Sequence, residues 1–287
     1  MDKIFDFSNI QKSEDTTKRT WDEFRNALAS HKFAYDDIES ALKETFLQVF
    51  NDLLTFKNNR EYLSKELKIV KTSYVLKRGT KVSPKDNIIY DTFIPDKKYI
   101  RDENRFSPPG IEWLYLAMGD DILSAEECCK AECRFEHGDT LALCTFNVEP
   151  YAENKIVIDL TTGTDYTFNK LNKSLEEGAQ RVRKKAIIDC ITEGIPIRGN
   201  TKEFSMAVTL WLIQTYIKLI SEQLFIPVNT TDKSYLYSPF QCLAKYFISR
   251  GFEGIIYSST VYPKGKNIVL FDKTYANPTG KINKLTI

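Results

Sequence analysis

From Ile38 onward, Leu42, Phe46, Val49, Phe50 and Leu53 recur at three- and four-residue steps behind Asp36 and Asp37. That is the spacing of one buried stripe on a helix, with acidic residues suited to its start. A shorter pattern of the same period follows, Tyr62, Leu63, Leu67 and Val70, so residues 1–70 read as a helical N-terminal lead-in. The character changes near Thr72. Ser73-Tyr74-Val75-Leu76 has strand composition, and a polar segment rich in Lys, Asp and Pro runs from Val82 to Asn104, so a second unit, 71–287, is expected to begin here. Within it, residues 113–117, 141–146, 156–160, 254–257 and 268–271 are short runs bounded by turn residues. Several are apolar throughout, as in a sheet covered on both faces. Helical periodicity fills the intervals 121–129, 171–190, 204–224 and 239–249, and the alternation predicts an α+β fold with a split or mixed sheet.

The apolar stretch 204–226 invites a membrane reading, but Lys218 and Glu222 interrupt it. Its uncharged part falls short of the roughly 20 residues a span needs, so a buried helix is predicted. Composition agrees with an ordinary globular chain, 42% hydrophobic, 28% charged and 13% aromatic, and argues against extended disorder. Forty basic against 39 acidic residues leave a net charge of +1, which provides no global field towards nucleic acid or anionic lipid. The one basic run, Arg181, Arg183, Lys184 and Lys185, reads as a solvated helix face. The opening Met1-Asp2-Lys3-Ile4-Phe5 lacks the charged leader and long apolar core of a secretion signal, so a cytoplasmic location is expected. The six cysteines form no repeated CxxC pair, and His31 and His137 lie far apart. Reduced thiols are expected, with no metal site. No Walker or Rossmann phosphate loop is present, which removes the usual support for ATP hydrolysis or hydride transfer.

Candidate chemistry is spread over separated segments. Arg105-Phe106-Ser107-Pro108-Pro109-Gly110 is a rigid turn headed by an arginine, followed by an apolar run carrying Tyr115. Glu126 and Glu127 fall in the next helix, and Gly254-Ile255-Ile256-Tyr257-Ser258-Ser259 and Asn267-Ile268-Val269-Leu270-Phe271 come much later. Singly, each has a plain structural explanation: loop arginines are solvated, a tyrosine alternating with Trp113 and Ala117 packs a core, and acids in the first turns of a helix complement its dipole. In succession they resemble the RES domain, a family named for an arginine, a glutamate and a serine and related to the ADP-ribosyltransferases. The resemblance covers about residues 72–273, with a long helical insertion at about 161–232.

The resemblance implies an ADP-ribosyltransferase-like split sheet with flanking helices, and NAD as the substrate. It implies a toxin-like enzyme of a toxin–antitoxin or phage-defence system that cleaves the nicotinamide–ribose bond, with a cognate antitoxin or regulator as partner. Arg78, in Leu76-Lys77-Arg78-Gly79, matches the family's first arginine, although Lys77 stands where the family often has an aromatic residue. Arg105 matches the second, Tyr115 the strand tyrosine, Glu126 the glutamate and Ser259 the serine; Asn267 opens the closing strand. The implied roles follow from charge. Arg78 and Arg105 hold the pyrophosphate or the ribose phosphate side, Tyr115 stacks on nicotinamide, Ser259 hydrogen-bonds the nicotinamide ribose or carboxamide, and Asn267 contacts the cofactor, with Arg78 and Ser259 counted beside Glu126 as catalytic. Glu126 orients the ribose and stabilises the cation that develops on the sugar. Glu126 is preferred to Glu127 for its spacing from Tyr115 and the helix face it shares with Ile122 and Cys129. Strand alternation sends Ser258 and Ser259 to opposite sides; Ser259 is the choice and Ser258 the fallback. Water, inorganic phosphate and a protein side chain all stay open as acceptor. An alternative reading is a non-catalytic binding module, in which residues 1–70 and 161–232 recognise a partner on a RES-like scaffold.

Overall fold

The computed structural model describes residues 10–163, 167–193, 201–226 and 233–286; the N-terminal segment read above for a leader lies outside them. The chain is a mixed α/β protein built on one eight-stranded sheet. Helices α1 (Ile10–Ala29), α2 (Ile38–Ala41), α3 (Thr45–Thr55) and α4 (Lys57–Leu63) come first, then the short strand β1 (Ser64–Glu66) and helix α5 (Leu67–Ser73). The continuous period from Ile38 to Leu53 is thus two helices. Glu44 is extended at the start of α3 and forms an ion pair at 2.6 Å with Lys32. The helical pattern at 62–70 is also interrupted, because Ser64–Glu66 pairs antiparallel with β5 (Ile156–Asp159); a tertiary ladder overrides local periodicity here.

The remaining elements are β2 (Val75–Val82), β3 (Leu114–Gly119), α6 (Ile122–Glu132), β4 (Thr140–Val148), β5, α7 (Phe168–Glu193), α8 (Thr201–Leu224), α9 (Lys233–Ser249), β6 (Gly254–Ser258), β7 (Lys266–Leu270) and β8 (Ala276–Thr286). Their order across the sheet is β1-β5-β6-β7-β3-β2-β4-β8. Among the described residues only β5 and β6 run parallel, and α7, α8 and α9 lie in the connection between them, as a parallel pair requires. β8 has no apolar alternation to announce it; it is an edge strand of mostly polar residues registered along β4.

The helical lead-in and the inserted helices share one core. Phe46 of α3 packs its ring against Trp21 and Phe24 of α1 and Tyr216 of α8, and Trp21 also meets Phe240 of α9. Sheet residues Ile158, Ile255 and Val269 join that cluster. A second cluster, with Leu76, Leu116, Phe146 and Ile268, fills the opposite sheet face under Leu67 and Val70 of α5. A third, with Ala117, Cys128, Cys129, Leu141 and Leu143, lies beneath α6. Among the described residues no helix is long and apolar enough to cross a membrane.

Because Phe46 is fully buried at the meeting of three helices, Phe46→Ala is expected to cost about 3–5 kcal/mol. The measurement is urea unfolding followed by tryptophan fluorescence and circular dichroism, with one shared transition at a lowered midpoint as the expected result.

Candidate functional site

The sheet forks between β2 and β3. These strands pair only at Val75↔Gly119, Leu76↔Met118 and Lys77↔Ala117. Beyond that point β2 follows β4 as far as Val82, whereas β3 follows β7 from Met118 back to Leu114. The first pairing is tight. A Cβ on Gly119 would lie 2.2 Å from the Ala125 backbone nitrogen, so only glycine lets α6 start so close to the end of β3. Asp121 caps that start, accepting the Ser124 N–H at 2.7 Å, as the preference for Asp at helix N-caps predicts.

At the mouth of the fork is a cleft of about 470 Å³. Its floor is sheet, with Arg78 and Gly79 from β2, Tyr115, Leu116 and Ala117 from β3, Tyr257 from β6 and Asn267 from β7. One wall is the end of α6 with Cys129, Glu132, Cys133 and Arg134; the opposite side carries Asn104, Arg105 and Tyr237 of α9. Cross-strand register sets the row on the floor, since Asn267 stands opposite both Ala117 and Tyr257.

The Pro-Pro-Gly turn holds Arg105 in place. Gly110 takes the left-handed conformation at φ 80° and donates to Ile100 O at 3.0 Å. Phe106 is buried edge-on to Tyr257 at 5.0 Å between ring centres. Gln241 of α9 donates to Asn104 O at 3.4 Å. The Arg105 guanidinium then lies 5.3 Å from the Tyr237 ring centre and 6.0 Å from that of Phe240, in cation–π range. Burial pulls the pKa of Arg105 down, while Tyr237, Tyr257 and Glu132 push it back up. Burial likewise lowers that of Arg78, whose Nη1 is buried with no hydrogen-bond partner. Arginine stays protonated under such conditions, and an unsatisfied buried donor costs about 1–3 kcal/mol.

Tyr115 shares a hydrogen bond of 2.9 Å with Ser107, the serine of the turn. Burial raises its pKa, and raises that of Tyr257 still more firmly with help from Glu132. Both phenols are neutral at physiological pH.

The carboxylate in the cleft is Glu132, not Glu126. One Glu132 oxygen, Oε1, accepts from Ser259 Oγ at 2.7 Å and Asn267 Nδ2 at 2.6 Å. Ser259 Oγ itself accepts the Tyr262 N–H at 3.0 Å and the Val261 N–H at 3.3 Å, so its own proton is directed at Glu132. Asn267 Oδ1 accepts weakly from Cys128 Sγ at 3.8 Å, which orients the amide nitrogen towards the acid. Glu126 instead forms an ion pair with Lys77 Nζ at 2.7 Å, and Lys77 is 4% exposed. The reason is axial position. Six residues along a helix advance about 9 Å, which places Glu126 over the paired part of β2 and β3 and Glu132 over the fork. Glu127 is exposed and paired with Lys130.

Of the residues singled out in the sequence, Arg78, Arg105, Tyr115 and Asn267 line one cleft. Ser259 stands just behind its wall, bonded to Glu132. Ser258 and Ser259 both line a separate cavity of about 320 Å³ together with Thr161, Phe225 and Lys264. Glu132 and Tyr237 were not among them, and Tyr257 stood in its motif without an assigned role. Glu132 follows Cys128 and Cys129 at helical steps of four and three, a signal available in the sequence; Tyr237 enters through the packing of α9, which no local pattern reports. The cleft therefore gathers two half-buried arginines, the exposed Arg134, the buried Lys77, three tyrosines and one bonded carboxylate. It is suited to an anionic ligand with a flat ring. Among the described residues no group of His, Cys, Asp and Glu is placed to hold a metal ion.

Cys129 and Cys133 share the α6 wall, and their mutual interaction raises the pKa of Cys129 and lowers that of Cys133, with Arg78 and Lys81 lowering Cys133 further. Cys128 is buried and pushed up to about 12. Alkylation by iodoacetamide is therefore expected sooner at Cys133 than at Cys128 or Cys129, with a half-maximal rate at a lower pH than theirs. Peptide mapping across pH checks it, and faster modification of Cys128 would contradict it.

No protein-family model, curated protein or solved structure matches this chain.

Proposed function

We propose that the cleft binds NAD and that the chain cleaves the nicotinamide–ribose bond, consistent with the resemblance of its motifs to the RES domain. On this proposal the forked sheet is an ADP-ribosyltransferase-like core. The observation that carries the proposal is the convergence of Arg78, Arg105, Tyr115 and Glu132 on one cleft. Arg78 and Arg105 bind the pyrophosphate, where planar forks match phosphate oxygens. Tyr115 and Tyr257 flank the nicotinamide. Glu132 takes the role that motif spacing assigned to Glu126: it holds ribose hydroxyls and stabilises positive charge as the glycosidic bond lengthens. Ser259 and Asn267 hold that carboxylate in place through its Oε1. The sugar is captured by water, phosphate or a protein nucleophile.

The test is chromatography of free nicotinamide after incubation with NAD, with and without phosphate. Wild type is expected to release it, and Glu132→Gln to slow release by about 2 to 3 orders of magnitude, the scale of removing one preorganised electrostatic contact. Glu126→Gln is expected to lower stability by weakening the Lys77 pair while keeping turnover within a few-fold. No release from any form would overturn the proposal in favour of a binding module; equal loss in both variants would overturn the role of Glu132.

A further inference from the structure

The two thiols in the cleft wall have no part in the proposed chemistry, yet they are brought together closely. Cys129 lies in the last turn of α6 and Cys133 is its C-cap residue, four positions on. Both side chains converge on one point of β2: a Cβ added to Gly79 would stand 2.9 Å from Cys133 Sγ and 3.0 Å from Cys129 Sγ. Glycine at that position leaves room for the sulfurs, and its neighbour is Arg78. Both cysteines are free, and Cys133 is half-buried where the cleft opens.

From this geometry we infer that Cys129 and Cys133 are a dithiol that a hydroperoxide closes into a disulfide, and that closure switches the cleft off. The disulfide rests on the thiol geometry alone, and the switch rests on the NAD reading. In the first step the Cys133 thiolate attacks the O–O bond, forming a sulfenic acid and releasing hydroxide, which leaves as water after taking a proton. Cys129 sulfur then displaces the sulfenic hydroxyl, and its proton departs in a second water. Each sulfur loses one electron and the peroxide gains two. Neighbouring side chains on a helix face have Cβ atoms about 5–6 Å apart, whereas a disulfide needs about 3.5–4.5 Å. Closure therefore tightens the last turn of α6. That turn carries Glu132, held at Ser259 and Asn267 by two short hydrogen bonds, and tightening draws its carboxylate out of place.

Trypsin gives a direct readout, because Lys130 lies between the two cysteines. In the reduced full-length chain the peptides 106–130 and 131–134 separate; after treatment with hydrogen peroxide they are expected to travel as one species, lighter by two hydrogens than their sum, that dithiothreitol splits. The linkage is expected to survive Cys128→Ala and to vanish in Cys129→Ala. Nicotinamide release by wild type is expected to fall at least tenfold on oxidation and to return with dithiothreitol, while in Cys133→Ala peroxide-treated and untreated samples match. Absence of the linked species, or its persistence in Cys129→Ala, overturns the disulfide. A linked species with undiminished turnover overturns the switch. A linked species from a protein that never releases nicotinamide, even when reduced, overturns the NAD reading and leaves the disulfide standing.

Discussion

Three residue pairs join β2 to β3, and where that short ladder ends the sheet divides. Everything in the candidate site depends on where it stops. Had β2 and β3 stayed paired to their ends, Arg78 would face a neighbouring strand and Tyr115 would be core. The last pair, Lys77↔Ala117, is fixed from above by the Lys77–Glu126 ion pair at 2.7 Å and, two residues further along β3, by the near contact of Gly119 with α6. A buried lysine is tolerable only with such a partner, so the same interaction satisfies the charge and seats the helix that carries Glu132.

The walls of the fork come from distant parts of the chain. α6 supplies the acid and the two thiols, and α9 supplies Tyr237 and the surface on which Arg105 rests. α9 is in turn packed on α1, with Trp21 against Phe240 at 5.5 Å. The N-terminal helices thus support one side of the cleft through a continuous aromatic core, although none of their residues lines it. This is a physical reason for a lead-in and an insertion that the motif residues alone do not require.

Most strands and helices were legible because their apolar periods are strong: β3, β4, β5, β6 and β7 and helices α6, α7 and α8 stand within a few residues of where hydrophobic pattern puts them, and α9 ends where expected but begins six residues earlier, at Lys233 rather than Pro239. Legibility failed where tertiary pairing outweighed local preference. Ser64–Glu66 became a strand inside a helical period because β5 offered a ladder, and β8 paired along β4 with hardly an apolar residue to mark it. The candidate site divides in the same way. Arg105 and Asn267 sit beside turn and strand signals that sequence expresses clearly. The sequence weighed Glu126 against Glu127; that Glu132 lines the cleft instead depends on which part of α6 overhangs the fork, and so on where two strands part, a property of no single segment.

The chemistry read into the cleft asks it to hold a dinucleotide with its diphosphate against two arginines and its nicotinamide ribose against one acid. The most direct measurement is a crystal structure of the Glu132→Gln variant soaked with NAD. The expected result is density in the fork, with the diphosphate within hydrogen-bond distance of Arg78 and Arg105, the nicotinamide ring beside Tyr115 and the ribose at residue 132. An empty fork at saturating NAD, or NAD bound elsewhere on the chain, would contradict it.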